Sequence, residues 1–182
     1  MSEFHDLLVK RRSIRRFTSE PLSAEDVKQL LEAALLAPSS KNQRSVRLVA
    51  VDQPDTLTRL ADCKPMAAHA IADAAMAVVV GGDMTLSDPW IEDCSIAATL
   101  MQLQAEELGL GSVWIQVRGR QTADGIPSED HVRSLLNIPE NIGIVCILAI
   151  GHKAEERKPQ NTEKLMWEHV HIERWNPANT DE

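Results

Sequence analysis

The sequence predicts one domain in which helices and strands alternate around a shared core. Three observations predict it. Four apolar runs rich in Val, Ile and Leu have the length of strands. Between them stand stretches with helical apolar stripes and caps. No internal repeat or low-complexity linker divides the chain. Its 182 residues, 43% hydrophobic and 25% charged, suffice for a single sizeable core.

"EFHDLLVKRR" places Phe4, Leu7 and Leu8 on one face of a short helix. In "PLSAEDVKQLLEAALLAP", Ser23 is an N-cap and acidic residues fill the first turn. Val27, Leu30, Leu31, Ala34 and Leu35 form the apolar stripe, and Pro38 stops the helix. "SVRLVAVD" reads as a strand over Val46–Val51. Pro54–Ala61 reads as a short helix, and alanine-rich Met66–Ala75 as another by propensity. "MAVVVGGD" is a continuous apolar run, suited to a strand covered on both faces. "PWIEDCSIAATLMQLQAEELGLG" predicts the longest helix, apolar nearly all round and so central or buried against a second subunit. Gly109 and Gly111 end it. "SVWIQV", "PSEDHVRSLLN" and "IGIVCILAIG" follow as strand, helix and strand. From His152 the chain is polar and lacks its own core. There "HVHIERW" alternates like a strand, which must pair with a neighbour and so suggests an interlocked dimer.

The formal net charge of −8 argues against a general nucleic-acid binder, which needs a broad basic surface. Local basic clusters on this acidic background still suit a small anionic ligand. Cys63, Cys94 and Cys146 stand far apart with no CxxC pair, as expected in a reducing cytoplasm. The N-terminus lacks the apolar run of a signal peptide, and no segment reaches the roughly 20 apolar residues of a membrane span. The expectation is a soluble cytoplasmic protein.

Four stretches are candidates for chemistry. In "RRSIRRF", Arg11 to Phe17, arginine forks and a serine hydroxyl suit a phosphate. The same residues would also suit a solvated helix end, whose dipole favours cations. "APSSKNQRSVR", Ala37 to Arg47, is a polar loop between a helix and a strand. It offers amides and hydroxyls to a planar ligand, or forms an ordinary helix stop. "GLGSVWIQVRGR", Gly109 to Arg120, follows a helix and precedes a strand, the wrong order for a dinucleotide fingerprint. Its Trp114 suits either core or the side of an aromatic ligand. "GHKAEERKPQN", Gly151 to Asn161, carries Lys153, Arg157 and Lys158 just after the last core strand. Catalytic triads and Walker loops are missing. His169 and His171 lack a third metal ligand at suitable spacing, and the cysteines have no activating neighbours in sequence.

In this order and at these separations, the four stretches resemble the FMN-dependent nitroreductase family. "RRSIRRF" looks like its N-terminal phosphate motif and "APSSKN" like its second flavin loop. "GLGSVWIQ" is similar to the strand beside the isoalloxazine ring, "GHKAEERKP" to the C-terminal phosphate contact, and "EKLMWEHVHIERW" to the tail of short members. The resemblance covers nearly the whole chain. It implies an α+β fold with a central, mostly antiparallel sheet flanked by helices. It also implies a homodimer holding FMN at the subunit interface, in which a C-terminal arm, about residues 152–182, is exchanged.

Carried over by position, the resemblance assigns Arg11, Arg12, Ser13 and Arg15 to FMN, with Arg11 at the phosphate and Arg15 near the pyrimidine edge. Arg157 and Lys158 complete the phosphate site. Pro38, Ser39, Ser40 and Asn42 reach over from the other subunit. Trp114, Ile115 and Gln116 line the ring, with a backbone N–H near Gln116 directed at N5. Many members follow the second loop with Gln-Pro-Trp, where this chain has Arg44-Ser45-Val46. Arg44 either replaces a contact or faces solvent. The implied reaction passes a hydride from NADH or NADPH through flavin N5 to an electron-poor acceptor such as a nitroaromatic or quinone, with no catalytic side chain and no metal. Other reductive or dehydrogenating FMN chemistry, or a non-catalytic flavin-binding protein, are the alternatives.

Overall fold

A computed structural model of the chain describes residues 2–175. The elements run α1 (Glu3–Lys10), α2 (Ala24–Leu35), β1 (Val46–Val51), α3 (Pro54–Ala61), α4 (His69–Ala72), β2 (Met76–Asp83), α5 (Trp90–Glu107), β3 (Leu110–Gln116), α6 (Ser128–Leu136) and β4 (Ile142–His152). The four strands form one antiparallel sheet in the order β1-β2-β4-β3. The fold is α+β, as the resemblance implied.

The apolar runs are explained by position. β2 and β4 are the inner strands, so both their faces are covered and their side chains are buried almost throughout. Alternate residues feed two cores. Ala77, Val79 and Ile147 pack with Leu57, Leu60, Ile71 and Val132 from α3, α4 and α6. Val78, Val80 and Leu148 pack with Leu30 of α2 and Cys94, Ala98 and Met101 of α5 on the other face. The Ser23 hydroxyl caps α2 by accepting the Asp26 N–H at 3.0 Å, as its sequence suggests.

Two local devices shape the end of the sheet. The β2–β4 register shifts between Val80 and Gly81, which leaves Val145 as the extra residue of a bulge. The freed Val145 carbonyl accepts the Val117 and Arg118 N–H groups, each at 3.1 Å, and so turns the chain beyond β3. Trp90 then lies flat on glycine. A Cβ at Gly143 would stand 2.3 Å from Trp90 Cη2, and one at Gly82 3.1 Å from Trp90 Cε3.

One expectation is corrected, and a second concerns a strand that one chain cannot pair. The helix over Met66–Ala75 shrinks to His69–Ala72. Ala67 takes a left-handed φ of 67°, which breaks any helix, and burial of Ala70 and Ile71 sets the rest. The strand over His169–Trp175 is not formed. A single chain gives that segment no neighbour to pair with, and short 3-10 turns at Thr162–Lys164 and Trp167–His169 precede it instead. The last seven arm positions, 176–182, lie outside the described residues.

The glycine requirement under Trp90 is testable. Gly143→Ala should cost about 1–3 kcal/mol, the range for overpacking a close contact. Urea unfolding should show a lower midpoint at unchanged slope.

Candidate active site

The chain leaves α1 at Arg11 and runs in extended form along the ends of β3 and β4. Ser13 bridges to Ser112, with the Ile14 N–H bonded to the Ser112 carbonyl at 3.0 Å. Phe17 bridges to Lys153, flanked by Thr18 N–H to His152 carbonyl and Ala154 N–H to Arg16 carbonyl, both 3.0 Å. Ile14 is 2% exposed and sits on Gly111, where a Cβ would stand 2.7 Å from Ile14 Cγ2. Phe17 sits on Gly151, where a Cβ would stand 3.1 Å from the ring. Gly111 and Gly151 are cross-strand partners, so they form one bare patch.

This docking sets the basic segments side by side. The Arg12 guanidinium donates to the Lys158 carbonyl. The Arg15 N–H donates to Glu155 Oε1 at 2.8 Å, and Arg157 Nη2 donates to Glu155 Oε2 at 2.9 Å. The Arg15 N–H bond, and next the positive charge of Arg157, hold the Glu155 carboxyl below its ordinary pKa. Among the described residues, neither the Arg11 nor the Arg15 guanidinium has a hydrogen bond or ion pair. Arg11 is half-buried and Arg15 exposed. Both guanidinium groups are thus unengaged, on a segment that Arg12 and the Arg15 N–H tie to residues 155–158.

The second loop is anchored elsewhere. Asp93, in the first turn of α5 and 3% exposed, accepts the Ser40 N–H at 2.9 Å, the Ser45 hydroxyl at 2.9 Å and the Ser87 hydroxyl at 3.1 Å. Its position in the helix also suits a negative charge. Ser39 Oγ accepts the Arg44 N–H at 2.9 Å, and Arg44 Nε donates to Asn42 Oδ1 at 3.3 Å. Lys41, Asn42 and Arg44 all take left-handed φ near 50°, at 50°, 54° and 50°. Pro38 is exposed at the loop entrance. Arg44 therefore faces out and folds back on its own loop, while Ser45 is committed to the core.

β3 is an edge strand, and its alternation divides the third candidate stretch. Trp114 and Gln116 share a face: Trp114 Nε1 donates to Gln116 Oε1 at 2.9 Å, and Gln116 Nε2 donates to the Arg118 carbonyl at 3.0 Å. Ile115 points into the opposite core, so it can offer a ligand only its backbone. The structure joins Arg12, Ser13, Arg15, Arg157, Lys158 and, through Ser112, Trp114–Gln116 into one region. It does not join loop 38–44 to them by any hydrogen bond or ion pair among the described residues. A cavity between β1 and the end of α6, lined by Val49, Val79, Leu136 and Ile138, lies outside this region.

Glu155 and Asp93 were missed by sequence reasoning. The visible signal for Glu155 is an acidic residue set among Lys153, Arg157 and Lys158. Asp93 looks like any first-turn acid. The three thiols are buried and inert: burial pushes Cys63 up to about 11 and Cys94 up to about 12. Asp93→Ala leaves three donors without an acceptor and should cost about 2–4 kcal/mol. Urea unfolding measures it, and proteolysis between Ser39 and Ser45 should speed up.

With this geometry in hand, the relatives are informative. The nitroreductase family model matches residues 8–90 and 64–152. An FMN-dependent nitroreductase from Clostridium difficile R20291 superposes with a TM-score of 0.90 at 40% identity, over 93% of this chain and 98% of that one. An inferred NADH dehydrogenase/NAD(P)H nitroreductase of Archaeoglobus fulgidus is 31% identical over 96% of this chain and 100% of its own length. The FMN reductase [NAD(P)H] of Bacillus subtilis is 30% identical over 88% of this chain and 70% of its own. Matched along nearly its whole length in both sequence and fold, this chain belongs to the nitroreductase family of oxidoreductases.

Proposed function

We propose that this chain binds FMN and passes reducing equivalents from NADH or NADPH to an electron-poor acceptor such as a nitroaromatic or quinone. One observation carries the reading. The Arg12–Lys158 and Arg15–Glu155 contacts tie the segment that carries Arg11 and Arg15, whose guanidinium groups have no partner among the described residues, to the segment that carries Arg157 and Lys158, more than a hundred positions away. That donor set fits a phosphate with an adjoining polar ring edge. Bound FMN would supply the hydride chemistry, through its ring N5.

The chain's own residues hold and tune the cofactor. Arg11, Arg157 and Lys158 take the phosphate, with Ser13 as a neutral donor. Arg12 braces the site through the Lys158 carbonyl. Arg15 supplies positive charge at the pyrimidine edge, which favours the reduced, anionic ring. Trp114 and Gln116 flank the ring on one face of β3, their side chains locked to each other. Pro38, Ser39, Ser40, Asn42 and Arg44 complete the site from a second subunit.

A homodimer is part of the proposal. Leu36 is 81% exposed, Trp167 69% and Ile172 85%, and Leu35, Ile96 and Trp175 add to this apolar surface. The arm from residue 152, in a single domain spanning 1–182, would find its strand partner on the other subunit. Among the described residues no helix is long and apolar enough to cross a membrane. Buried, unpaired thiols support a reducing cytoplasm.

The purified protein should be yellow, or become so on adding FMN, and NADH or NADPH should bleach that colour without any acceptor. A colourless protein that takes up no FMN refutes the reading. Slow bleaching with tight FMN binding would point to other flavin chemistry. Arg11→Ala should weaken FMN binding by about 1.5–3 kcal/mol, the scale of a charge-assisted bond. Calorimetric titration of the apoprotein measures it.

A further inference from the structure

A carboxylate stands where an anion is expected to bind. Glu155 lies among Arg12, Arg15, Arg16, Arg157 and Lys158, and its side chain is only 16% exposed. By Coulomb's law alone it should repel a phosphate placed there. Its contacts point the other way. Each carboxylate oxygen serves a different segment: Oε1 takes the Arg15 N–H at 2.8 Å, and Oε2 takes Arg157 at 2.9 Å. The first of these spans 140 positions of sequence. Between the docked residues Ile14 and Phe17, the Arg15 N–H has no strand to pair with, and Glu155 supplies its acceptor.

The contacts also leave the cations available. Glu155 takes the backbone N–H of Arg15 and not its guanidinium. It takes one nitrogen of Arg157, whose fork has five N–H donors. We infer that Glu155 is a positioning residue of the anion site. Its carboxylate fixes the two basic segments at the spacing that receives a phosphate, and its net effect is to strengthen phosphate binding in spite of its charge. This inference rests on the FMN reading above.

The sign of the effect separates positioning from simple repulsion, and riboflavin, which lacks the phosphate, isolates the phosphate arm. Apoprotein is titrated with FMN and with riboflavin in wild type, Glu155→Ala and Glu155→Gln. Wild type should bind FMN more tightly than riboflavin. Glu155→Ala should lose about tenfold or more in FMN affinity, the scale of a charge-assisted bond, with riboflavin affinity unchanged. Glu155→Gln keeps an acceptor for the Arg15 N–H and should recover part of that loss. If wild type does not distinguish the two flavins, the phosphate-site reading fails and this inference falls with it. If wild type distinguishes them but Glu155→Ala binds FMN equally well or better, this inference alone is overturned. Equal losses for both flavins overturn it too, since that marks general damage. Should Glu155→Ala fail to fold, Glu155→Gln decides: it must still lose FMN affinity selectively.

Discussion

Ile14 and Phe17 rest on the paired bare faces of Gly111 and Gly151, and the candidate site depends on that contact. Burying Ile14 contributes about 2 kcal/mol. Its larger effect is to fix register. With Ile14 seated, Ser13 meets Ser112, Phe17 meets Lys153, and the Arg12 guanidinium reaches the Lys158 carbonyl beyond β4. A side chain on either glycine would lift the segment from the sheet and scatter four cations over the surface. The steric emptiness of two positions therefore precedes any electrostatics.

Charge is handled in a common way in this region and in the separate loop 40–45. Basic or polar loops are not left to find their own shape; a buried or half-buried carboxylate gathers each. Asp93 collects one N–H and two hydroxyls from three separate positions and holds loop 40–45 to α5. Glu155 collects one N–H and one guanidinium and ties residue 15 to residue 157. Every oxygen used has a matched donor, which is what makes a buried acid tolerable. In an acidic protein of net charge −8, this arrangement confines the positive field to a small area.

The sequence revealed what is local or periodic. The Ser23 cap, the stripe of α2, the all-round apolar α5 and the inner strands β2 and β4 were legible because their cause lies within a dozen residues. The arginine cluster was legible as chemistry but not as a place. The contacts that bring residues 12–15 to residues 155–158 are made by the fold alone. Glu155 and Asp93 were opaque for the same reason, since Arg15 lies 140 positions from the first, and Ser40 and Ser45 about 50 from the second. Propensity misled at Met66–Ala75, where a left-handed Ala67 outweighs helix-favouring composition. Alternation at His169–Trp175 reads as a strand that one chain by itself does not form, because a strand is a property of a pair.

The seam between residues 12–18 and 152–158 closes a loop of most of the chain, yet only a handful of hydrogen bonds span it. Loop length itself is a mild obstacle, adding about 0.6 kcal/mol per doubling. Order of assembly matters more. The seam has nothing to dock on until β3 and β4 have paired, so it belongs to the late steps of folding and can unzip while the sheet stays whole. Opening would separate four like charges and so relieve their repulsion. An anion bound across the seam would reverse that balance, acting as a removable staple between the two ends of the chain and stabilising it in proportion to its own concentration.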